Sequence, residues 1–192
     1  MTGDYLTIVI GAMLVNNLVL VQFLGICPFL GVSSRLSTAI GMSTAVMFVM
    51  TIAGISTYLI RLFLLIPFGI EFLQTVSFIL VIASLVQLVE IVMKKVSPPL
   101  HQALGVFLPL ITTNCAIMGV ALLIVQHEYT LGETIVFAIA SAVGFTIALI
   151  AFAGIRERLA LMPVPKAMQG GPIALVTAGL LALAFMGFQG LA

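Results

Sequence analysis

Six long apolar stretches, separated by short polar or proline- and glycine-containing breaks, make up most of the chain. Each approaches or exceeds the roughly 20 residues that a helix needs to cross a bilayer. The stretches lie near 5–30, 37–64, 72–93, 104–125, 134–153 and 172–187. The breaks fall at 33–35, 67–69, 94–99, 127–132 and 156–171. Because every connection is short, the pattern predicts one all-α membrane domain, 1–192, with six transmembrane helices.

The composition agrees with a membrane location. Hydrophobic residues make up 62% of the 192 residues and charged residues only 7%, with a mean hydropathy of +1.35. Soluble domains carry about a quarter charged residues. The net charge of +1 gives no reason to expect a nucleic-acid partner. The first stretch lacks a preceding basic segment and exceeds signal-peptide length, so we expect it to be retained as a span.

The basic residues predict how the chain is oriented. Six of the seven lie in the first, third and fifth breaks, namely Arg35, Lys94, Lys95, Arg156, Arg158 and Lys166. Only Arg61 borders the second break, and the fourth break has none. Because basic loops remain in the cytoplasm, we expect the odd-numbered loops there and both termini on the outer side.

The only two cysteines open the same short word, Cys-x-x-x-Gly-Val, once in each half of the chain. Cys27 and Cys115 each begin one copy. The halves, approximately 1–96 and 97–192, each contain three predicted spans. Three is an odd number, so the second half enters the membrane upside down relative to the first. The sequence therefore predicts two inverted three-helix repeats.

Both cysteines are predicted to lie near the bilayer midplane. Cys27 precedes Arg35 by eight residues, about 12 Å at helical rise. Cys115 precedes His127 by twelve residues, about 18 Å. Half of a roughly 30 Å hydrocarbon core is about 15 Å. The two thiols are thus expected at the same depth, approached from opposite sides.

Neither cysteine segment has the pattern of an uninterrupted helix. Pro28 disfavours helical geometry at Cys27, and Gly25 precedes both. In the fourth span, Pro109 is followed by a β-branched run at 111–113. Broken helices that meet at the midplane form binding sites in transporters with inverted repeats. We therefore expect the first and fourth helices to be broken near the midplane and to form a site.

Two interpretations of the cysteines follow from the residues. A free buried cysteine commonly packs as a small hydrophobe. Alternatively, the sulfurs ligate a metal centre. Iron–sulfur clusters need four thiolates, so Cys27 and Cys115 would supply half of the set and a second chain the rest. The sequence contains neither a C-x-x-C pair nor a zinc spacing with histidine.

Polar side chains accompany the second cysteine. Thr112, Thr113 and Asn114 directly precede Cys115 inside an apolar run. Their hydroxyl and amide groups could donate hydrogen bonds to cluster sulfur and tune its potential. Interhelical hydrogen bonding is the alternative.

Other polar residues have simpler interpretations. Interhelical hydrogen bonding is the interpretation we favour for Asn16 and Asn17. Glu90 precedes Lys94 by four residues and can pair with it at the cytoplasmic edge; a role in an ion path is the less favoured alternative. The charged run at 156–158 is interpreted as a topology determinant or as a docking surface for a cytoplasmic partner.

Four segments carry a resemblance to a known family. They read VNNLVLVQFLGICPFLGVS at 15–33, FLPLITTNCAIMGVALL at 107–123, GIRERL at 154–159 and TAGLLALAFMGF at 177–188. They resemble the A subunit of the Rnf complex, a membrane-bound, ion-translocating ferredoxin:NAD oxidoreductase. The E subunit of the sodium-translocating NADH:quinone oxidoreductase is a close alternative. The Asn16-Asn17 pair and Cys27-Pro28 are more similar to the Rnf type.

The resemblance implies a [2Fe–2S] cluster inside the bacterial cytoplasmic membrane. Cys27 and Cys115 would hold it together with two cysteines of a homologous six-helix subunit of opposite orientation, the E subunit. Residues around the ligands would be Gly25, Pro28, Thr112, Thr113 and Asn114. The resemblance also implies Rnf subunits B, C, D and G as partners, with covalently bound FMN and further iron–sulfur clusters on other subunits. Both termini would be periplasmic.

We interpret the chain as a subunit that relays electrons through a midplane cluster and is not catalytic alone. An autonomous secondary transporter is the first alternative, because inverted repeats and broken helices also suit transport. The absence of a charged residue near the predicted midplane argues against it. A purely structural subunit with packing cysteines is the second alternative. The sequence indicates neither the coupling ion, Na⁺ or H⁺, nor the direction of electron flow.

Overall fold

A computed structural model describes residues 2–69, 71–96 and 108–187, and these residues form helices and turns without any strand. The main helices are α1 (Thr2–Ile10), α2 (Ile26–Val32), α3 (Leu36–Ile60), α4 (Gln74–Val96), α5 (Leu108–Thr112), α6 (Cys115–Gln126), α7 (Leu131–Ala160) and α8 (Gly171–Met186). Two π-helical turns continue helices, Gly11–Val15 after α1 and Arg61–Leu65 after α3. Single helical turns occur at Ile66–Phe68, Glu71–Leu73 and Lys166–Met168. The all-α prediction is confirmed for this part of the chain.

An apolar helix lies within each of the six predicted spans. Three of those described are long and apolar enough to cross a membrane, Leu36–Phe68, Gln74–Ile91 and Leu131–Ala160. Three shorter apolar segments lie in the first, fourth and sixth predicted spans, Tyr5–Val15, Leu110–Gln126 and Gly171–Met186. The start of the fourth predicted span, 104–107, falls outside the described residues. The number of membrane crossings stays a prediction.

Helices α3 and α7 form the centre of the protein and pack along each other. Their backbones approach closely where small residues face each other, since a methyl group on Gly54 would lie 3.3 Å from Cβ of Ala138. Met42 and Met50 of α3 and Phe145 of α7 are fully buried around this seam. Close packing through small residues is one of the interactions that associate helices within lipid. The seam therefore anchors the remaining helices.

Contacts at the two ends of α7 fix the arrangement of the connections. At its start, the Tyr5 hydroxyl lies 3.4 Å from the position that a Cβ on Gly132 would take. At its end, the Glu157 carboxylate accepts a 2.8 Å hydrogen bond from the Leu36 backbone N–H. The first break thus lies beside the end of α7, and α1 begins beside the fourth break. Which end faces the cytoplasm stays a prediction.

The fifth break begins later than the sequence pattern predicts. A break from residue 156 is wrong, because α7 continues without interruption to Ala160. Arginine and glutamate are good helix formers, and two of these charged side chains bond to neighbouring elements. Arg156 donates to the Leu30 carbonyl and Glu157 accepts from Leu36 N–H. The charged run therefore has a structural role in addition to any effect on topology.

Candidate functional site

The first apolar stretch is interrupted between α1 and α2. The π turn Gly11–Val15 ends the first helix, and irregular backbone follows over 16–25 before α2 begins. The π turn packs closely against α7, where a methyl group on Gly144 would lie 3.1 Å from the Met13 carbonyl oxygen. Only a glycine therefore allows α7 to approach the end of α1 this closely.

Asn17 satisfies the backbone groups that this interruption frees. Its side chain is fully buried. The Nδ2 group donates to the carbonyl oxygens of Met13 at 3.1 Å and Gly144 at 2.9 Å. The Oδ1 atom accepts from the N–H groups of Val19 at 3.0 Å and Leu20 at 3.4 Å. The prediction of an interhelical hydrogen-bonding role is confirmed for Asn17.

The fourth apolar stretch is interrupted between α5 and α6. Thr113 and Asn114 separate the two helices, with Thr112 ending α5 and Cys115 beginning α6. Thr112 is half-buried and Thr113 is exposed. Pro109 lies within α5 rather than in the break.

The two interrupted segments meet at Gly25 and Cys115. The Gly25 N–H donates to Cys115 Sγ, with 2.8 Å between nitrogen and sulfur. Gly25 has a left-handed conformation, with φ 86°. A methyl group on this residue would lie 3.0 Å from Phe145 Cε2 and 3.1 Å from Ala116 Cβ. The fold thus brings the two cysteine-containing segments, 90 residues apart in sequence, into direct contact.

Each cysteine lies in the first turn of its own helix, and both helices start at this contact. Cys115 is the first residue of α6 and is half-buried. Cys27 lies two residues beyond Gly25, in α2, and its side chain is exposed. The N-terminus of the twelve-residue α6 carries partial positive charge. An anionic group at Cys115 is therefore favoured by the helix.

The expected disruption of the helix at Cys27 by Pro28 is wrong. Both residues have helical geometry within α2, and the irregular backbone ends at Gly25. A helix leaves its first backbone N–H groups without intrahelical partners. A proline in the first turn therefore removes no helical hydrogen bond, and its fixed φ suits the start of a helix. Pro28 is buried and starts α2 instead of interrupting it.

Asn114 caps α6 and leaves one polar group without a partner. Its Oδ1 accepts a 3.0 Å hydrogen bond from Ala116 N–H. Its side chain is 3% exposed, and the buried Nδ2 finds no acceptor among the described residues. A buried donor left unpaired costs about 1–3 kcal/mol. An amide donor beside Cys115 fits a site that receives further negatively charged sulfur.

The two thiols do not form a complete metal site within the part of the chain that the structure describes. Residues 2–69, 71–96 and 108–187 contain no group of three or more His, Cys, Asp or Glu side chains able to hold a metal ion. An iron–sulfur cluster needs four thiolates. A cluster on Cys27 and Cys115 therefore requires ligands from another chain.

A cavity of about 500 Å³ lies beside the irregular segment 16–25, and neither cysteine lines it. Asn16 and Gln22 line it from the irregular segment, and His127 and Tyr129 line it from the loop between α6 and α7. Burial raises the pKa of Tyr129, and the nearby Glu133 carboxylate raises it further. Tyr129 therefore remains a neutral phenol at physiological pH. Both cysteines lie outside this cavity.

A family model described as "Rnf-Nqr subunit, membrane protein" matches residues 5–192. The chain belongs to the Rnf-Nqr family. The resemblance carried by 15–33 and 107–123 is thereby confirmed. These segments contain both helix interruptions, 16–25 and 113–114, and both cysteines of this Rnf-Nqr protein.

Curated relatives match this Rnf-Nqr chain over nearly its full length. The A subunit of an ion-translocating oxidoreductase complex from Syntrophotalea carbinolica is 59% identical over 98% of this chain and 97% of its own. The A subunit of a Na(+)-translocating ferredoxin:NAD(+) oxidoreductase complex from Acetobacterium woodii is 59% identical over 96% of both chains. A protein of Pseudoalteromonas atlantica with the same name as the first is 55% identical over 98% of this chain and 97% of its own.

Several residues that shape the site were not predicted from the sequence. Phe145 packs against Gly25 from the middle of α7. Arg156 and Ser33 form a hydrogen bond of 2.7 Å at the end of α2. Phenylalanines and loop serines are common in membrane proteins, so neither residue carried a signal before the helices were placed.

Replacing Gly25 by alanine tests the contact between the two interrupted segments in this Rnf-Nqr protein. Both the left-handed φ and the 3.0 Å approach of Phe145 oppose a side chain there. We expect G25A to lower the stability of the protein by about 1–3 kcal/mol, measured by thermal unfolding in detergent. The matched control is G31A, because Gly31 lies within α2 and its nearest neighbour, Leu110 Cδ1, is 3.6 Å away. Equal unfolding temperatures for both variants would contradict the prediction.

Proposed function

We propose that this chain is the A-type membrane subunit of an ion-translocating oxidoreductase complex of the ferredoxin:NAD type. Support comes from relatives with these names, which are 59% identical and align over 96–98% of the chain. The chain acts as part of this complex and not as an enzyme alone. The remaining subunits, B, C, D, G and a homologous E subunit, supply the FMN and further iron–sulfur clusters.

Within the complex, Cys27 and Cys115 supply two of the four ligands of an intramembrane [2Fe–2S] cluster. The observation that carries this proposal is the contact between Gly25 N–H and Cys115 Sγ, which places the segment of one cysteine against the other. When bound, the cluster would carry single electrons between redox groups on the two sides of the membrane. The other two thiolates come from the homologous subunit of opposite orientation.

Three features of the chain prepare Cys115 to hold negative charge. The Gly25 N–H donates to its sulfur at 2.8 Å. Cys115 is the first residue of α6, where the helix dipole places partial positive charge. The buried Asn114 Nδ2 provides a further donor. Together they stabilise anionic sulfur in a low-dielectric region, where such hydrogen bonds are strongest.

The surface around Cys27 suits a second protein rather than a closed pocket. Cys27 is exposed, and Phe23, four residues earlier, is 57% exposed. Phe23 also has a positive φ of 56°, which is unusual for a residue with a side chain. Strained residues of this kind are found at binding and switch sites. An exposed ring and an exposed thiol four residues apart support a partner that covers both.

The fold also supports two inverted repeats with six membrane crossings. Helix α2 starts beside Cys115 and ends at Arg156, near the end of α7. Helix α6 starts with Cys115 and leads to Tyr129, whose ring lies 5.3 Å from that of Phe137 near the start of α7. The two helices therefore start at one place and run toward opposite ends of the molecule. This arrangement is expected when equivalent segments of the two halves are inverted.

Counting iron and acid-labile sulfide tests the shared cluster directly. The subunit is purified by itself, together with its homologous partner, and within the intact complex. We expect the pair to contain two irons and two sulfides more than its separate members, with a paramagnetic signal on reduction. Iron that remains absent from the assembled pair would overturn the shared site.

Substituting Asn114 separates its capping role from its role as a donor to sulfur. Serine retains a good N-cap oxygen but lacks the amide Nδ2, whereas alanine removes both. We expect N114S to keep stability within about 0.5 kcal/mol, N114A to lose about 1 kcal/mol, and both to shift the cluster potential to more negative values. Redox titration of the paramagnetic signal provides the measurement. An unshifted potential in N114S would assign Asn114 a capping role alone.

A further inference from the structure

Two residues one turn apart on α7 hold the short helix that carries Cys27. Arg156 Nη1 donates to the Leu30 carbonyl oxygen and to Ser33 Oγ, each at 2.7 Å. The ring of Phe152 stacks on that of Phe29, with 4.2 Å between centroids and 16° between planes. The end of α7 thus contacts the side chains and the C-terminus of α2 together.

Helix α2 requires such support because it is short. It has seven residues, whereas isolated helices shorter than about 12–15 residues are marginal. Its last four carbonyl groups lack intrahelical partners, and the Leu30 carbonyl is one of them. A cation at a helix C-terminus satisfies such a carbonyl and interacts favourably with the helix dipole. Arg156 therefore provides what the sequence of α2 itself lacks.

The guanidinium group is held in place on its own helix. Its central carbon lies 5.8 Å from the centroid of the Phe152 ring. The adjacent Glu157 accepts from Leu36 N–H at the start of α3. Both ends of the connection between α2 and α3 are therefore hydrogen-bonded to α7, one through Arg156 and the other through Glu157. A displacement of α2 along its axis would break a charge-assisted hydrogen bond, the strong type of protein hydrogen bond.

We propose that Arg156 is a positioning residue for Cys27: by fixing the C-terminus of α2, it sets where the Cys27 sulfur lies in the electron-transfer site. Leu30 follows Cys27 by three residues, about 4.5 Å along the helix axis, so a shift at Leu30 is transmitted to the thiol. This inference rests on the proposed ligand role of Cys27. Arg156, which lies 126 positions from Leu30 in sequence, thereby helps to determine the geometry of the site.

The test compares R156Q and R156K with R158Q in the intact complex. Arg158 lies two residues after Arg156, in the last turn of α7, and is exposed, so R158Q removes the same charge without touching α2. The first measurement is amide hydrogen exchange in 26–32. We expect R156Q to raise it about tenfold or more, as loss of a charge-assisted hydrogen bond implies, and R158Q to leave it unchanged. R156K, which keeps charge but loses the fork of donors, is expected between them.

The second measurement is the line shape and midpoint potential of the cluster signal. We expect R156Q to change both and to slow electron transfer by about 10–100-fold, with partial rescue in R156K and no change in R158Q. Raised exchange with an unaltered signal would overturn the positioning role, as would equal effects of R156Q and R158Q. If R156Q fails to assemble, S33A removes one acceptor of the same group and must still alter the signal. A cluster signal absent from the unmodified complex would instead refute the proposed function.

Discussion

Electron transfer through the complex is expected to fall by more than about 100-fold when Cys115 is replaced by serine. Loss of a group that only supports a ligand typically costs about 10–100-fold, and Cys115 is proposed to be a ligand itself. A neutral serine hydroxyl does not supply the thiolate that an iron–sulfur cluster needs as its ligand. Replacement of Cys27 should have an effect of the same size. The measurement is ferredoxin-dependent reduction of NAD by the purified complex, together with the paramagnetic signal.

The control for this prediction places the same hydroxyl on another helix. Ala45 is half-buried within α3, and the neighbouring Ser43 and Thr44 already donate their hydroxyls to carbonyls four residues earlier. A45S should therefore retain full electron transfer and the full signal. A C27S and C115S double variant should be no slower than either single variant, because each removes the same centre. Normal electron transfer in the double variant would show that both cysteines are packing residues.

The largest loss of stability is expected for Asn17→Ala. The substitution leaves four backbone groups without their side-chain partner, the carbonyls of Met13 and Gly144 and the N–H groups of Val19 and Leu20. Each buried group that loses its partner costs about 1–3 kcal/mol. Because the carbonyl of Gly144 lies within a continuous helix, the total is expected at about 3–5 kcal/mol. Thermal unfolding in detergent and the yield of assembled complex would measure it.

Asn16→Ala is the matched control for Asn17→Ala. The two asparagines are adjacent and identical in chemistry, but Asn16 is exposed where Asn17 is fully buried. We expect N16A to change stability by less than about 0.5 kcal/mol. Similar unfolding temperatures for the two variants would show that Asn17 does not stabilise the irregular segment 16–25.

The positions of the helices could be predicted because lipid imposes a simple rule on sequence. Every backbone group inside a membrane must be satisfied within the segment or by protein, so long apolar stretches become helices. The interruptions were also predicted, from Gly25 and Pro28 in the first stretch and from Pro109 and the β-branched run 111–113 in the fourth. What the local pattern could not predict was which side of Cys27 the irregular backbone would occupy. Pro28 is compatible with both the end and the start of a helix. The tertiary contact of Gly25 with Cys115 determines that a helix starts here.

The long-range contacts of the site could not be predicted from the sequence. Asn17 bonds to Gly144 across 127 positions, and Arg156 bonds to Leu30 across 126. Such partners are set by how α7 packs beside α1 and α2, and this packing depends on the small residue Gly144. A charged run at the end of an apolar stretch is typical of topology signals. For this reason the structural role of Arg156 became visible only in the fold.

Helix α7 contacts the interrupted first span at two levels. The Gly144 carbonyl accepts from Asn17 in the irregular segment 16–25, and Arg156 donates to the Leu30 carbonyl near the C-terminus of α2. These residues are twelve positions apart, about 18 Å along a single continuous helix. A tilt of α7 by only about 5° about Gly144 would displace Arg156 by about 1.5 Å. Since α7 belongs to the second half of the chain and α1 and α2 to the first, a tilt of α7 in the second half would displace α2 in the first.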